Sequence, residues 1–443
     1  MPSPLVALLA LLPVPQIQSQ LDTLLATGLR DLGAYSMLAD LTTNIGPRLS
    51  GSPNAERAVV WAERTMKAVG LQNVRRIPCL VPHWVRGEVE RANIIGGGKL
   101  AICALGGSVG TPKGGVEAEV IEVHSLQEAV ELGEKGRGKI VFFNRPFDPS
   151  ALSGGAQYGG AVDQRTGGAS AAAKSGALAV LVRSMTAATD DEPHTGALNY
   201  IERVTYIPAA ALGIQSANRL SRAIARGATR VRLELSCKNL LDVPSASVCG
   251  DIVGTEKPNE IIVLGGHLDS WDLGQGAHDD GAGVTQSIEA ARLLVKLGMK
   301  PKRTIRIVAF QNEENGTRGA RAFAEWSSEQ KERQYAACES DAGGFMPRAF
   351  GVDPKKIDRV RAWEPLLRKF GIERFNPGGG GADIAPLAPL GATLFGLSPD
   401  GQRYFDYHHS RNDTLDKVHP RELEFGAAAM AALAWLIAQE GLD

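Results

Sequence analysis

The sequence predicts an α/β protein with a doubly wound, mostly parallel sheet and an inserted β-rich domain. After residue 250, apolar strand-like segments alternate with helical segments, which favours a parallel sheet. Residues 261–268 form a nearly continuous apolar run, typical of a strand covered on both faces. Residues 94–249 differ, because they hold short β runs and many glycines but no His, Asp and Glu cluster at metal-ligand spacing. We therefore predict that they form an inserted, non-catalytic domain.

The elements follow in chain order. Before the insert, residues 31–44 and 54–69 are predicted helices and residues 74–84 a strand; in the second helix Ala58, Trp61 and Ala62 lie at helical spacing. In the insert we predict strands at 100–105, 118–123, 139–144, 178–184, 206–212 and 231–236, and helices at 167–177 and 216–226. After it we predict strands at 261–268, 304–312, 335–341 and 392–398, and helices at 283–297, 319–328, 357–370 and 421–439. The main domain would comprise residues 21–93 and 250–443, with 94–249 as the insert.

The N-terminus contains an apolar run over residues 5–12, LVALLALL. This run has the length of a signal-peptide core and is too short to span a bilayer as a helix. Basic residues before it and a clear cleavage site after it are lacking, so a buried or amphipathic helix is the alternative. We interpret residues 1–20 as an export segment and expect a secreted or periplasmic protein with no membrane span.

Charge and cysteine content narrow the possible classes. The formal net charge of −1 argues against a nucleic-acid-binding protein, which needs a basic face to neutralise phosphates. The five cysteines are dispersed and form no CxxC pair, which argues against a cysteine zinc site or a disulfide framework. Cys237 and Cys249 could pair in an oxidising compartment, but their separation alone does not establish a disulfide.

Imidazole and carboxylate side chains follow the predicted strands of the main domain. Ligands of doubly wound sheets bind beyond the carboxyl ends of the strands, so these groups should meet at one edge. The groups are His267 and Asp269 after one strand, Asp279 in the loop that follows, Glu313 and Glu314 after the next strand, Asp341 after the third, and His409 beyond the last. Such groups without thiolate suit zinc, cobalt or manganese. The two glutamates could instead occupy a solvated helix N-terminus, where acids are favoured.

Two pairs of neighbouring residues leave the assignment open at this level. Asp279 or Asp280 could be the carboxylate that joins two metal ions, and either His408 or His409 could be the histidine ligand. Residue type alone does not separate the members of each pair.

Several ordered motifs resemble those of the co-catalytic zinc exopeptidases, a family that includes bacterial leucyl aminopeptidases and glutamate carboxypeptidases. The matching segments are IGPRLSGS (45–52), VPHWVRGE (81–88), GHLDSWDLGQGAHDDGAG (266–283), EEN (313–315), ESDAGGF (339–345) and HHSRNDT (408–414). The resemblance covers nearly all of the chain beyond about residue 30. The insert resembles the protease-associated domain of that family.

The resemblance implies two zinc ions per chain. His267 and Asp341 would bind one ion, Glu314 and His409 the other, and Asp279 would bridge them. The family pattern thereby selects Asp279 over Asp280 and His409 over His408. A further residue, Glu313, would be the general base.

The same resemblance suggests supporting residues. Asp269 would orient the His267 imidazole, Asp413 would do the same behind His409, and Asp280 would shape the backbone beside the bridge. His408 would steady an oxyanion or serve packing alone. Asp383, which follows the glycine run 378–381, would lie in a segment that lines the substrate pocket. The other histidines (His83, His124, His194, His278 and His419) are expected to be structural.

The implied activity is hydrolysis of a peptide bond near a free terminus, with dipeptides or short peptides as substrates. Two alternatives come from relatives with similar folds: glutaminyl cyclase-type acyl transfer with one zinc, and a receptor-like binding protein without the metal set. The complete set of ligand types favours the peptidase. A homodimer is possible by the same resemblance, and neither nucleic acid nor membrane is an expected partner.

Overall fold

The computed structural model describes residues 14–443, which form two mixed sheets covered by helices. The strands are β1 (Gln72–Val85), β2 (Glu90–Ile94), β3 (Lys99–Leu100), β4 (Ile102–Ala104), β5 (Val116–Val123), β6 (Ile140–Phe143), β7 (Ala179–Arg183), β8 (Ala209–Leu212), β9 (Arg230–Leu235), β10 (Lys238–Ile252), β11 (Lys257–His267), β12 (Arg303–Phe310), β13 (Arg333–Glu339), β14 (Pro347–Val352), β15 (Arg374–Pro377) and β16 (Thr393–Pro399). The α-helices are α1 (Val14–Asp31), α2 (Gly33–Asn44), α3 (Pro53–Ala68), α4 (Leu126–Glu131), α5 (Gly154–Gly159), α6 (Asp163–Thr166), α7 (Gly168–Lys174), α8 (Ile214–Ile224), α9 (Ala282–Lys296), α10 (Arg318–Glu329), α11 (Ile357–Arg361), α12 (Glu364–Leu367), α13 (Tyr404–Tyr407) and α14 (Pro420–Glu440).

The first sheet has the strand order β1-β10-β12-β11-β13-β16-β14-β15. Its centre is parallel from β12 through β11 and β13 to β16, which confirms the fold class predicted from the strand–helix alternation. The β1–β10, β10–β12 and β14–β16 pairs are antiparallel, so the complete sheet is mixed.

The central strand β11 shows why its sequence is almost wholly apolar. Ile262 and Leu264 pack into a core with α1, α3, α9 and α14, whereas Ile261 and Val263 pack on the opposite face against α10. Successive side chains of a strand point to opposite faces, and here each face is covered by helices. The carboxyl end of β11 therefore emerges at an edge between two packed layers.

The second sheet has the order β3-β2-β9-β5-β6-β7-β8-β4 and lies within residues 90–235. Strands β5 to β8 are parallel, and β2, β3, β4 and β9 pair antiparallel with their neighbours. Apolar clusters cover both faces of this sheet, and one of them also includes Leu49, Trp84 and Trp271 of the main domain.

The predicted insert boundaries, 94 and 249, need correction. Strand β2 begins at Glu90, and β10 joins the first sheet by pairing with β1 and β12, so Lys238–Cys249 is outside the second sheet. No strand was predicted where β10 lies, so the sequence did not show that this segment returns to the first sheet.

The structure describes only part of the predicted export segment. Residues 1–13 of the predicted export segment lie outside the described residues, and residues 14–20 belong to α1, where Ile17 is buried.

The predicted helix 357–370 is divided into α11, α12 and short 3-10 turns; Pro365 in α12 has no N–H to continue the preceding helix. Cys237 and Cys249 are both free. Within residues 14–443, no helix is long and apolar enough to cross a membrane.

Candidate metal centre

The ligand-type side chains predicted from the sequence meet at the carboxyl edge of the first sheet. His267 is the last residue of β11, and Glu313 and Glu314 follow the end of β12. Asp341 follows β13, and His409 lies in the loop after α13. Because β11, β12 and β13 are parallel neighbours, their carboxyl ends place these side chains together.

Asp279 lies at the middle of the group, and its two carboxylate oxygens face different neighbours. Oδ1 is 3.2 Å from Nε2 of His267, and that nitrogen is 3.5 Å from Oδ1 of Asp341. Oδ2 is 3.2 Å from Nε2 of His409, and that nitrogen is 3.1 Å from Oε2 of Glu314. The carboxylate thus divides the centre into a His267 half and a His409 half.

These separations fit two tetrahedral zinc sites. Zinc bonds to nitrogen and oxygen are about 2.0–2.2 Å, which puts tetrahedral ligand atoms about 3.3 Å apart. Oδ2 of Asp279 is buried and has no hydrogen-bond partner within residues 14–443, as expected of an oxygen atom that binds a cation. A cavity of about 10 Å³ is lined by Asp279, Glu314 and His409 among others. It has room for about one water-sized particle.

The charges in the group show the same need for cations. Burial, and then the neighbouring Asp279, raises the pKa of Glu314 to about 7. Burial alone would lower the pKa of His409, but the charges of Glu314 and Asp279 raise it to about 10. His267 behaves similarly, since Asp279 and Asp341 overcome the effect of burial and raise its pKa well above the usual range. Buried carboxylates require positive partners, which metal ions would supply.

Comparisons with known proteins agree with this geometry. Residues 247–434 match the model of peptidase family M28. The chain is 37% identical to carboxypeptidase Q of Bos taurus over 91% of this chain and 85% of that protein, and 36% identical to the Homo sapiens protein over the same shares. The chain belongs to peptidase family M28.

Solved structures place the fold in the same family. The peptidase M28 precursor from Shewanella amazonensis SB2B superposes with a TM-score of 0.92 at 34% identity, covering 96% of this chain and 97% of that one. A zinc aminopeptidase from Bacillus subtilis shares the fold, with a TM-score of 0.64 at 20% identity over 90% and 94% of the two chains. This M28 peptidase is therefore a zinc-dependent metallo-exopeptidase.

Asp280, the neighbour of Asp279 in the M28 peptidase, has a different environment. Its Oδ1 accepts a hydrogen bond from the Gly283 amide at 2.8 Å, and its Oδ2 accepts one from the His267 amide at 3.0 Å. The side chain thus joins the first turn of α9 to the end of β11. Asp280 therefore contacts backbone groups only, and its role beside the bridge stays a prediction.

Of the two adjacent histidines, His409 approaches Asp279 more closely. Nε2 of His408 is 3.7 Å from Oδ2 of Asp279, and its ring stacks on His409 with the centroids 3.5 Å apart. Asp279, His408 and His409 together could also hold an ion. His409 has the additional carboxylate neighbour Glu314, which favours it as the ligand. Tyr158, Tyr404 and Phe405 surround the His408 ring, so packing accounts for its position.

Asp269 contacts His267 in a different way from the prediction. Nδ1 of His267 lies 3.0 Å from the backbone carbonyl oxygen of Asp269, whereas the carboxylate is 3.8 Å away. The carboxylate accepts hydrogen bonds from the Glu313 amide at 3.0 Å and the Ser50 hydroxyl at 3.0 Å. The imidazole is therefore oriented by a peptide group, and the carboxylate supports the segment that carries both glutamates.

Asp413 also acts at a different place from the one predicted. Its carboxylate accepts hydrogen bonds from the backbone amides of His278 at 2.6 Å and Asp279 at 3.1 Å. Burial, and then the charge of Asp279, raises the pKa of Asp413 to about 7. Asp413 therefore supports the bridging residue and not the His409 ring.

The side chain of Glu313 differs from the ligand-type side chains in its contacts. Its side chain makes no hydrogen bond within the described part of the chain, 14–443, and its backbone is fixed through Asp269. Burial, and after it the negative charge of Asp341, raises the pKa of Glu313 well above its usual range. A free carboxylate of raised pKa beside a metal centre suits proton transfer.

Asp383 is completely buried, and its carboxylate has no hydrogen-bond partner among residues 14–443. The backbone amides of Asp383 and Ile384 both donate to Oε2 of Glu339, at 3.0 and 2.9 Å. Burial, and then the charges of Glu339 and Glu313, raises the pKa of Asp383 well above the usual range. At Gly381 a side chain would collide with the Glu339 carboxylate, which explains one glycine of the run 378–381.

Four residues that contact the centre were not predicted from the sequence to take part in it. Arg48 is fully buried and donates to the carbonyl oxygens of Leu268, Gln275 and Gly276, so it holds the loop that leads to Asp279. The arginine lies inside the motif IGPRLSGS, which was the available signal. The insert contributes the other three residues: Arg165, His194 and Thr195. No local pattern could have revealed them, because their contacts lie more than 200 positions away in the chain.

Proposed function

We propose that this M28 peptidase is a two-zinc exopeptidase that hydrolyses dipeptides or short peptides at a free terminus. The observation that carries the proposal is the division of the Asp279 carboxylate between two sets of ligand-type atoms. His267 and Asp341 would hold one zinc, Glu314 and His409 the other, and Asp279 both. Retention of all these groups argues against a cyclase that uses one zinc and against a receptor-like protein without the metals.

Glu313 is the proposed general base. When bound, the zinc ions lower the pKa of a coordinated water and polarise the scissile carbonyl. The Glu313 carboxylate then takes the proton of the attacking water and delivers it to the leaving amine. Its lack of hydrogen-bond partners within residues 14–443 leaves the carboxylate free for this transfer, while Asp269 fixes its backbone.

The remaining assignments are also proposals. Asp383 would lie in a segment that lines the substrate pocket, where burial and then the charges of Glu339 and Glu313 raise its pKa. The insert that holds the second sheet, residues 90–235, would be a protease-associated domain, and residues 5–12 would direct export to a secreted or periplasmic location.

A comparison of free and blocked dipeptides tests the activity and the polarity together. Hydrolysis of a dipeptide whose N-terminus is blocked would indicate a carboxypeptidase, and hydrolysis of a C-terminal amide an aminopeptidase. Hydrolysis of the free dipeptide but of neither blocked form would indicate a dipeptidase. No hydrolysis of any of these by the zinc-loaded chain would contradict the proposal.

The variant Glu313→Gln tests the mechanism in the same assay. We expect it to keep its zinc and to lose about 10²–10⁴-fold in kcat, the usual contribution of general acid–base catalysis. Zinc content by atomic absorption is the control. Full activity in Glu313→Gln would rule out the assigned base.

A further inference from the structure

A segment of the insert lies directly against the loop that carries His409. We term residues 190–195, in the connection between β7 and β8, the insert strap, and residues 408–412 the His409 loop. At one end of the contact, the side chain of Asn412 donates to the Asp190 carboxylate at 2.8 Å. At the other end, the amide of Thr195 donates to the carbonyl oxygen of His409 at 2.9 Å.

The strap also provides the acceptor that a metal-bound His409 requires. A histidine that binds zinc through Nε2 carries its proton on Nδ1, and that proton needs an acceptor. Two groups approach Nδ1 of His409: the carbonyl oxygen of Thr195 at 3.3 Å and the Arg165 guanidinium at 3.4 Å. A guanidinium has donors only, so the Thr195 carbonyl is the acceptor.

His194 holds the neighbouring peptide group of the His409 loop. Its Nδ1 lies 2.6 Å from the carbonyl oxygen of His408. The ring is only 1% exposed, and its Nε2 has no hydrogen-bond partner within residues 14–443. Because burial lowers the pKa of His194 to about 4, the ring is neutral at pH 7, with its one proton on Nδ1 to donate to the carbonyl.

The strap is fixed to the insert on its other side. The His194 amide donates to the Ser184 hydroxyl at 2.8 Å, and that hydroxyl donates to the carbonyl of Leu212 in β8 at 2.7 Å. The Thr195 hydroxyl donates to the carbonyl of Ala104 in β4 at 2.9 Å. The second sheet therefore anchors the groups that contact the His409 loop.

His409 needs such support because its backbone is in the left-handed region, with φ of 61°. A residue with a side chain persists there only where its surroundings hold it. The strap contacts the peptide groups on both sides of its Cα, through the carbonyls of His408 and His409.

We propose that His194 is a positioning residue for the metal centre, through which the insert holds His409 in the orientation that binds zinc. The inference rests on the ligand role proposed for His409. The insert would then be part of the metal centre, in contrast to the non-catalytic domain predicted from the sequence. The His409 half would depend on it, and the His267 half would not.

The test measures zinc retention by the full-length, zinc-loaded chain during dialysis against increasing concentrations of a chelator. His409→Ala identifies the part of the release curve that belongs to the His409 half. For His194→Leu we expect that part to shift to chelator concentrations about 10–100-fold lower, the usual effect of losing an outer contact of a ligand. The release from the His267 half should stay as in the wild type.

Two further variants separate hydrogen bonding from packing. His194→Asn places an amide donor near the position of Nδ1, and we expect it to restore most of the wild-type curve. His124→Leu is the matched control: this exposed insert histidine also lies near a backbone carbonyl, that of Asn144 at 3.1 Å, but outside the strap. It should release zinc as the wild type does.

The outcomes that would overturn the inference are specific. A His194→Leu curve identical to the wild type would exclude positioning by His194. Equal losses in His194→Leu and His194→Asn, or the same loss in His124→Leu, would exclude the hydrogen bond as the cause. If His409→Ala itself retains all the zinc of the wild type, the proposed ligand set fails and the inference fails with it, which distinguishes the two results.

Discussion

The two halves of the metal centre are built from different parts of the chain. In the His267 half, Nδ1 of His267 meets the carbonyl oxygen of Asp269, only two residues later. In the His409 half, Nδ1 of His409 meets the carbonyl oxygen of Thr195, which lies 214 positions away in the insert. One imidazole is thus oriented by its own strand end and the other by a second domain. The same chemical requirement, an acceptor for the Nδ1 proton, is met by local geometry in one case and by domain packing in the other.

This difference affects how each half should respond to perturbation. His267 ends a buried parallel strand whose neighbours β12 and β13 fix it on both sides. His409 lies in a loop with a left-handed backbone, and the insert supplies the contacts around it. The His267 half should therefore survive changes in the insert, and the His409 half should not.

The largest expected effect comes from removing the residue that joins the halves. Asp279→Asn would leave one carboxamide oxygen for the two zinc ions that we propose, so we expect the zinc content to fall below half of the wild-type value. The loss of kcat should be at least as large as that for the general base, about 10²–10⁴-fold. Atomic absorption and the dipeptide assay measure the two quantities.

Asp280→Asn is the control for this change. Asp280 accepts backbone hydrogen bonds only, from His267 and Gly283, and an asparagine oxygen can keep one of them. We expect a loss of zinc far smaller than in Asp279→Asn and no larger than in Asp413→Asn, because Asp413 also accepts two backbone amides. If Asp280→Asn lost its zinc while Asp279→Asn kept it, Asp280 and not Asp279 would be the residue that joins the two halves.

An intermediate effect is expected at the two supporting carboxylates. Asp413 accepts from the amides of His278 and Asp279, so Asp413→Asn should weaken zinc binding by about 10–100-fold. Asp269→Asn should leave zinc binding unchanged, because the backbone carbonyl that orients His267 remains. It should lower kcat by about 10²-fold, because the carboxylate positions Glu313.

Chelator titration and steady-state kinetics on both variants check this separation. Weakened zinc binding in Asp269→Asn would mean that the carboxylate, and not the peptide group, controls His267. The contrast between a locally oriented half and a remotely oriented half would then be weaker than the structure indicates.

The smallest expected effect concerns buried carboxylates away from the metal centre. Glu289 on α9 and Glu424 on α14 are both fully buried, and Glu424 also accepts a hydrogen bond from the Ala34 amide at 3.1 Å. Burial, and then the charge of Glu289, raises the pKa of Glu424 to about 9. Glu289 accepts two hydrogen bonds from Arg292, so the proton belongs to Glu424. The carboxylates at the sheet edge instead face histidine nitrogens and a cavity.

The sign of the pH dependence follows from the raised pKa. The folded chain retains a proton on Glu424 that the unfolded chain loses near pH 4.5, so this group makes folding less favourable as the pH rises from about 4.5 to about 9. Glu424→Gln is uncharged in both states. We expect its Tm to exceed the wild-type value by roughly 2–4 °C at pH 8 and by much less at pH 5.

Thermal unfolding at the two pH values measures this difference. Glu422→Gln is the control, because its side chain is partly exposed in the first turn of the same helix; it should show no pH-dependent gain. A gain in Tm for Glu424→Gln over the wild type that is smaller at pH 8 than at pH 5 would contradict a proton retained on Glu424.

From the residues alone, the fold class, the parallel centre of the first sheet and the candidate ligand residues could be predicted. These follow from local signals: apolar periodicity places the strands, and parallel strands place their carboxyl ends at a common edge. The borders of the insert could not be predicted in this way, because no strand was predicted where β10 lies, and β10 pairs within the first sheet. The export segment stays a prediction.

The contacts of each supporting residue became known only from the folded structure. It showed that the peptide carbonyl of Asp269, and not its carboxylate, contacts His267, and that Asp413 supports Asp279. It also brought His194 and Thr195 to the His409 loop. The physical reason is that a hydrogen bond needs its donor and acceptor atoms about 3 Å apart, within a few tenths of an ångström, even where the two groups are far apart in the chain. Periodicity and residue type carry no information on such distances.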